Sequence, residues 1–126
     1  MLEIISTAKA PAAIGPYSQA IRMGNLVFTS GQIPCDPQTG AVAGDDIAAQ
    51  AKQSLENVKN VLEAAGSSCE KVIKTTCFLQ DMGDFAAFNA IYEQYFPGKP
   101  ARSCVAVAAL PKGVLCEVEA VAAIGD

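Results

Sequence analysis

Apolar residues recur at helical spacing in two stretches of the chain. In the first stretch, the apolar positions are separated by three or four residues and form one stripe on a helix over 47–65: Ile47, Ala51, Leu55, Val58, Leu62 and Ala65. Asp45 or Asp46 is expected to cap the start of this helix, and Gly66 suits the left-handed residue that follows its end.

A second helix is predicted after residue 81 by the same spacing. Its apolar stripe is aromatic: Phe85, Phe88, Tyr92 and Tyr95. Asp81 or Asp84 opens the helix, and Phe96-Pro97-Gly98 stops it.

Five further segments have the short apolar or alternating pattern of β-strands: 20–23, 26–30, 72–79, 102–110 and 114–124. Gly24-Asn25 fits a tight hairpin turn between the first two strands. Pro111-Lys112-Gly113 separates the last two, which predicts an antiparallel hairpin there. Residues 14–17 and 36–40 are rich in turn formers and are expected to be irregular.

The order of these elements predicts an α+β fold, with two helices on one face of a mixed β-sheet. The whole chain, residues 1–126, is expected to form one domain. The last two strands are unusually apolar for a sheet with one uncovered face. Because a large uncovered apolar surface promotes association, we expect a homo-oligomer with closed symmetry.

The amino-acid composition excludes several kinds of catalytic and metal site. The chain has no histidine, which excludes a Ser-His-Asp triad, a Cys-His pair, a histidine general base and a histidine-ligated metal. The net charge is −4, and there are nine lysines and arginines in total with no basic run, which argues against nucleic acid as a partner. No apolar run is long enough to span a bilayer.

Five cysteines are spread along the chain without a CxxC pattern. We expect them to be reduced and mostly buried in a cytoplasmic protein. Cys104 has no histidine to activate it, so a small buried thiol is favoured over a nucleophile.

Arg102 begins an otherwise small and apolar strand. One interpretation is an arginine at a strand end that reaches solvent or pairs with a nearby carboxylate. The other is bidentate capture of a substrate carboxylate.

Glu117 and Glu119 alternate with Val118 and therefore point to one face of the last strand. They form either a solvent-facing polar stripe or a partly desolvated carboxylate suited to proton transfer. If Leu110 pairs with Val114 in the expected hairpin, Glu119 and Arg102 project from opposite sides of the sheet. A one-residue shift, a bulge or a site between subunits would then be needed to bring them together.

Two positions near the N-terminus also have the character of site residues. Tyr17 follows a rigid Gly-Pro step and either lines a pocket or packs in the core. Gly31, after Ser30 at the end of a strand, either lets a ligand approach the backbone or eases a turn.

Six blocks of sequence, in order and over nearly the whole chain, resemble the reactive intermediate deaminase (RidA/YjgF) family. They are PAAIGPYSQA (11–20), FTSGQIP (28–34), QSLENV (53–58), KTTCFL (74–79), PARSCV (100–105) and VEA (118–120). The resemblance implies a chorismate-mutase-like fold and a homotrimer with ligand sites in clefts between subunits. It also implies hydrolysis of 2-imino acids, such as 2-iminopropanoate and 2-iminobutanoate, to 2-oxo acids and ammonia, without a cofactor or metal.

The resemblance further implies roles for individual residues. Arg102 would bind the substrate carboxylate, and Glu119 would activate the attacking water. The backbone of Gly31 and Cys104 would hydrogen-bond the substrate. Tyr17 would line the cleft, and Ser30 and Asn89 would border it. The alternatives are a non-catalytic protein that binds small carboxylates as a regulator, and a ribonuclease or translation inhibitor.

Overall fold

The longest helix follows its apolar stripe. In the computed structural model, which describes residues 1–125, helix α1 spans Ile47–Ala64. Asp46 caps its start, because its carboxylate accepts a hydrogen bond from the Ala49 N–H at 2.9 Å. Gly66 has a φ of 87° just beyond its end, as expected of a glycine that terminates a helix.

The other main elements are short strands and a second helix. The described residues form β1 (Leu2–Ile5), β2 (Ala20–Met23), β3 (Leu26–Thr29), α1, β4 (Val72–Leu79), α2 (Phe85–Tyr95), β5 (Ala101–Ala106) and β6 (Cys116–Ala123). Strand β1 was not predicted from the sequence. Asp126, the last residue of the expected domain, lies outside the described residues.

The strands form one mixed sheet in the order β1-β2-β3-β6-β4-β5. The pair β4–β5 is parallel, and the other four neighbouring pairs are antiparallel. Helix α1 packs on α2, β3 and β6, so the core lies between the helices and one sheet face. Leu55, Val58, Leu62 and Phe88 are fully buried there. The expected α+β architecture is confirmed.

The expected hairpin of the last two strands is wrong. Helix α2 carries the chain back across the sheet, so that β5 runs parallel to β4 at the sheet edge. Strand β6 then pairs with the other side of β4 and with β3. Strand β5 ends at Ala106 rather than residue 110, since its partner β4 ends at Leu79, opposite Ala106.

The expected register of Arg102 and Glu119 is therefore also wrong. Arg102 pairs with Thr75, and Glu119 pairs with Thr76. These two β4 residues are adjacent, so their side chains point to opposite faces of the sheet. Arg102 and Glu119 therefore project from opposite faces of the sheet, as predicted, although the register differs from the predicted one.

The sheet face without helices carries exposed apolar side chains. Leu2, Ile4, Met23 and Phe28 project from it and are between 41% and 69% exposed. Glu117, Glu119 and Val121 continue the same face along β6. Among residues 1–125, no helix is both long and apolar enough to cross a membrane.

Candidate active site

Arg102 is held by neutral groups from α2. Its guanidinium donates to the Asn89 side-chain oxygen at 2.7 Å. Its Cζ atom lies 4.7 Å from the centre of the Tyr92 ring and 5.4 Å from that of the Phe85 ring. We call Arg102, Phe85, Asn89 and Tyr92 the arginine cluster. Aromatic faces and an amide orient the cation without neutralising it, which leaves it able to bind an anion.

Tyr92 is itself held in place by a residue of strand β4. Its hydroxyl is 2.6 Å from the Thr75 hydroxyl, and Thr75 is fully buried in the neighbouring strand. Burial raises the pKa of Tyr92, against the smaller opposing effect of this hydrogen bond. The tyrosine is therefore neutral at physiological pH, and its ring forms one wall of an open pocket of about 380 Å³ beside Arg102.

The backbone next to Arg102 offers donors at an open sheet edge. The Val107 N–H donates to the Leu79 carbonyl at 2.9 Å, toward β4. Since backbone groups alternate along a strand, the N–H groups of Arg102 and Cys104 point away from β4. Strand β5 is the terminal strand of the sheet, so these donors lie on its unpaired side. A carboxylate bound to Arg102 could accept from them.

The Cys104 thiol itself is not activated. Burial raises its pKa, and the lowering effect of Arg102 is the smaller of the two. Burial also raises the pKa of Cys77 to about 12 and that of Cys116 to about 11. All five cysteines are free.

Glu117 lies against Gly31 on the helix-free face. A Cβ built on Gly31 would overlap the Glu117 carboxylate and come within 2.8 Å of its Cδ. With a larger residue at position 31, the Glu117 side chain would have to move from its present place. Burial raises the pKa of Glu117, and the nearby charge of Glu119 raises it further. We call Gly31, Glu117 and Glu119 the glutamate cluster.

Glu119, the residue to which the sequence motif assigned proton transfer, is exposed on this face. Glu117 is half-buried and has the Gly31 contact. From the sequence, both carboxylates were candidates, but Glu117 was not placed in the site. The signal that would have found it is the contact between Gly31 and a carboxylate on β6, which only the fold reveals.

Tyr17 and Ser30 lie beside the glutamate cluster. The Ser30 hydroxyl donates to the Ser18 carbonyl at 2.6 Å, which ties the segment containing Tyr17 to the end of β3. Tyr17 is 53% exposed and lines, with Gly31, a groove of about 520 Å³.

The sequence-predicted site residues therefore form two groups. Arg102, Asn89 and Cys104 lie at the β5 edge under α2, whereas Tyr17, Ser30, Gly31 and Glu119 lie at the other end or on the other face of the sheet. Phe85 and Tyr92, which hold Arg102, were anticipated only as apolar stripe residues. Within residues 1–125, no group of three histidine, cysteine, aspartate or glutamate side chains could hold a metal ion.

Comparison with known proteins identifies relatives over the full length. A protein of Haemophilus influenzae, named as a RutC family protein, is 59% identical, with 97% of each chain covered. A Salmonella typhimurium protein named 2-iminobutanoate/2-iminopropanoate deaminase is 56% identical, with 97% of this chain and 98% of the relative covered. The crystal structure of Escherichia coli TdcF with bound serine superposes with a TM-score of 0.93 at 50% identity, covering 98% of this chain and 99% of that one.

A family model also matches the chain. The model described as Endoribonuclease L-PSP covers residues 7–124, which includes both clusters. The chain therefore belongs to the Endoribonuclease L-PSP family, which is the RidA/YjgF family that its motifs resemble.

Proposed function

We propose that this protein is a cofactor-independent deaminase that hydrolyses 2-imino acids, such as 2-iminopropanoate and 2-iminobutanoate, to 2-oxo acids and ammonia. Its sites lie between the subunits of a homotrimer. The observation that supports this proposal is that the arginine cluster and the glutamate cluster project from opposite faces of one sheet, as expected of a site shared between subunits. The name and 56% identity of the Salmonella typhimurium relative support the reaction.

Carboxylate binding is the task of the arginine cluster. The guanidinium of Arg102 is a planar donor that matches a carboxylate, and Asn89 and Tyr92 fix its orientation. The outward N–H of Cys104 adds a backbone donor at the same edge. Together these groups would bind and orient the carboxylate of a flat 2-imino acid at the sheet edge.

Proton transfer is the task of the glutamate cluster. The raised pKa of Glu117 and its contact with Gly31 favour it over Glu119 as the group that handles protons. Glu119 then acts through its charge, which contributes to the raised pKa of Glu117. This assignment modifies the sequence-based hypothesis, which placed Glu119 in that role.

A contact between subunits would bring the two clusters together. The helix-free face carries exposed Leu2, Ile4, Met23 and Phe28, an apolar surface that association would cover. In a closed ring, unlike surfaces of neighbouring subunits meet at each interface. Three copies then form three equivalent sites, each with Arg102 from one subunit and Glu117 from the next.

The reaction needs no more than these groups and a water molecule. A protonated imine is already electrophilic, so the protein mainly has to orient it. Glu117 accepts a proton as water adds to the imine carbon, which gives a tetrahedral carbinolamine. Glu117 then returns the proton to nitrogen, and the C–N bond breaks. As ammonia leaves, the hydroxyl proton passes to the Glu117 carboxylate and the carbonyl of the 2-oxo acid forms. Ammonia finally takes up that proton and departs as ammonium, which restores the ionised Glu117.

RNA cleavage, which the family description names, has no comparable support in this chain. A ribonuclease needs a basic track for the phosphate backbone. The net charge here is −4 and the nine basic residues are scattered.

The test is competition with a chemical trap. Threonine dehydratase releases an enamine that tautomerises to the imine, and semicarbazide captures the imine. The wild-type protein should suppress semicarbazone formation, and Arg102→Ala should reduce kcat/KM by about 100-fold or more, because a charge-assisted hydrogen-bond pair is lost. Arg22→Ala is the matched control, since Arg22 donates to the Gly24 carbonyl in a hairpin turn.

Three results would contradict the proposal. One is wild-type protein that leaves the trapping rate unchanged. Another is an Arg102→Ala variant as active as Arg22→Ala. The third is binding of 2-oxo acids without any turnover of imine, which would indicate a non-catalytic carboxylate-binding protein instead.

A further inference from the structure

Two of the five cysteines lie side by side on neighbouring strands. Cys77 on β4 and Cys104 on β5 are direct partners in the parallel register, so their side chains point to the same face of the sheet. This is the helix-covered face, because Cys77 is fully buried in the core and Cys104 packs against that core at the sheet edge. After burial, the charge of Cys104 is the largest influence on the pKa of Cys77, which reflects the short distance between the two sulfurs. We call Cys77 and Cys104 the thiol pair.

The spacing of the thiol pair suits a bridging ion better than a disulfide. Neighbouring strands lie about 4.8 Å apart, and the side chains of parallel partners run beside each other at about this distance. A disulfide needs Cβ atoms about 3.8 Å apart, so it would have to draw β4 and β5 together. A single ion between the two sulfurs requires no such movement. Both thiols are free to bind one.

The number of ligands selects the class of ion. Among the soft cations that thiolates prefer, zinc and the irons of iron–sulfur clusters usually take four ligands. The nearby Cys116 sulfur is engaged with the Ser54 hydroxyl at 3.7 Å. In the described part of the chain, residues 1–125, no three histidine, cysteine, aspartate or glutamate side chains are grouped to hold a metal. Two thiolates are instead sufficient for a soft monovalent cation such as Cu(I).

Arg102 supplies the charge that such a complex needs. When the thiol pair releases both of its protons and takes up one monovalent cation, the two thiolates and the cation together form an anion. Arg102 lies on the same strand and face as Cys104, and neutral groups hold its guanidinium. Burial raises the pKa of both thiols, whereas the cation of Arg102 acts in the opposite direction and favours the thiolates.

We propose that the thiol pair binds a soft monovalent cation of the Cu(I) type, which Cys77 and Cys104 hold as an anionic bis-thiolate complex beside Arg102. The ion enters at the β5 edge, where Cys104 is half-buried and Arg102 lines an open pocket of about 380 Å³. Because the complex engages the charge of Arg102, it competes with a substrate carboxylate for that cation. Binding of the ion is independent of the proposed deaminase function, whereas its effect on activity rests on that function.

The binding test uses Cu(I) alone. Protein that has been reduced beforehand and is kept under nitrogen is titrated into the coloured complex of Cu(I) with bicinchoninate, and the loss of colour measures the transferred Cu(I). The wild-type protein should take up one Cu(I) per chain, with two sulfur ligands by X-ray absorption. Cys77→Val should weaken binding by about 100-fold or more, since the loss of an outer-shell partner alone costs up to that much.

Three further variants complete the binding test. Cys116→Val is the matched control and should keep the wild-type affinity, since Cys116 is another fully buried cysteine of the same core. Cys104→Ala removes the other ligand and should weaken binding as much as Cys77→Val, so it decides the question if Cys77→Val does not fold. Arg102→Ala should weaken binding by about tenfold or more, the cost of losing an outer-shell partner, and Arg22→Ala should not.

The binding outcomes that would overturn this inference are explicit. One is a wild-type protein that takes no Cu(I) from bicinchoninate. Another is equal affinity in the wild type and Cys77→Val, or a loss in Cys116→Val as large as that in Cys77→Val. Equal affinity in Arg102→Ala and Arg22→Ala would show that Arg102 does not balance the charge of the complex.

The activity outcomes separate this inference from the proposed function. In the imine-trapping assay, one bound equivalent of Cu(I) should raise the KM of the wild type and leave that of Cys77→Val unchanged. A loaded wild-type protein with an unchanged KM would contradict the competition for Arg102. If neither protein hydrolyses an imine, the proposed function fails, while the titration with Cu(I) still decides whether the thiol pair is a site.

Discussion

The arginine cluster and the glutamate cluster lie on opposite faces of the same sheet and are built in opposite ways. Arg102 is surrounded by two aromatic rings and a neutral amide, which keep its charge available. Glu117 is half-buried beside a second carboxylate, and both effects raise its pKa. An uncompensated cation suits the binding of an anion, whereas a destabilised carboxylate suits proton exchange. The difference in environment therefore supports the two proposed roles without reference to any motif.

The largest expected effect separates the two carboxylates of the glutamate cluster. Glu117→Gln should lower kcat by about 100-fold, since general acid–base catalysis contributes that much or more. Glu119→Gln is the matched control and should reduce kcat only slightly at neutral pH. Both are measured by imine trapping. If the control loses activity and Glu117→Gln does not, the exposed carboxylate, and not the half-buried one, handles the proton.

The pH profile tests the electrostatic part of this comparison. Glu117 must be ionised to accept a proton, so activity should fall as the pH drops through its raised pKa. Glu119→Gln removes a charge that raises this pKa. The acid limb of the kcat profile should therefore move to lower pH in Glu119→Gln. A limb that stays in place, or moves to higher pH, would show that Glu119 does not act on Glu117.

A smaller but more specific effect is expected when two inactive proteins are mixed. If each site takes Arg102 from one subunit and Glu117 from another, a randomly reassembled trimer of Arg102→Ala and Glu117→Gln chains regains about a quarter of its sites. Activity should return after denaturation and joint refolding, with turnover as the measurement.

The control for the mixing experiment uses a chain with both substitutions. Mixing that double variant with Arg102→Ala leaves no subunit with an intact Arg102, so activity should not return. No recovery in the first mixture either, with trimers present by light scattering, would place both clusters of a working site in one subunit.

Local pattern predicted most of the elements. The stripe from Ile47 to Ala65 and its caps at Asp46 and Gly66 appear in the structure as expected, because helix periodicity and capping depend on residues close in sequence. The hairpin at Gly24-Asn25 follows for the same reason, with Met23 paired to Leu26.

The local pattern does not specify which strands pair with one another across the sheet. The hairpin expected from Pro111-Lys112-Gly113 fails because β4 lies between the two strands, and a turn-forming sequence does not specify which strands it joins. The same limit applies to the site. Arg102 could be identified as a candidate from the sequence of its own strand. The preference for Glu117 over Glu119 depends on a contact with Gly31, which is distant in sequence.

The smallest expected effect concerns how the arginine cluster is supported. Tyr92 contacts Arg102 through its ring, and its hydroxyl forms a hydrogen bond with the hydroxyl of the buried Thr75. Tyr92→Phe should therefore lower the free energy of unfolding by about 1–3 kcal/mol, the cost of leaving the buried Thr75 hydroxyl without its partner. The activation free energy derived from kcat/KM should change by less than this. Thr75→Val removes the same hydrogen bond from the other side, and a double-mutant cycle by urea unfolding should show that the two losses are not additive. If Tyr92→Phe instead lowers kcat/KM as far as Arg102→Ala while stability is unchanged, the hydroxyl contacts the substrate. The cluster would then bind the carboxylate through tyrosine as well as arginine.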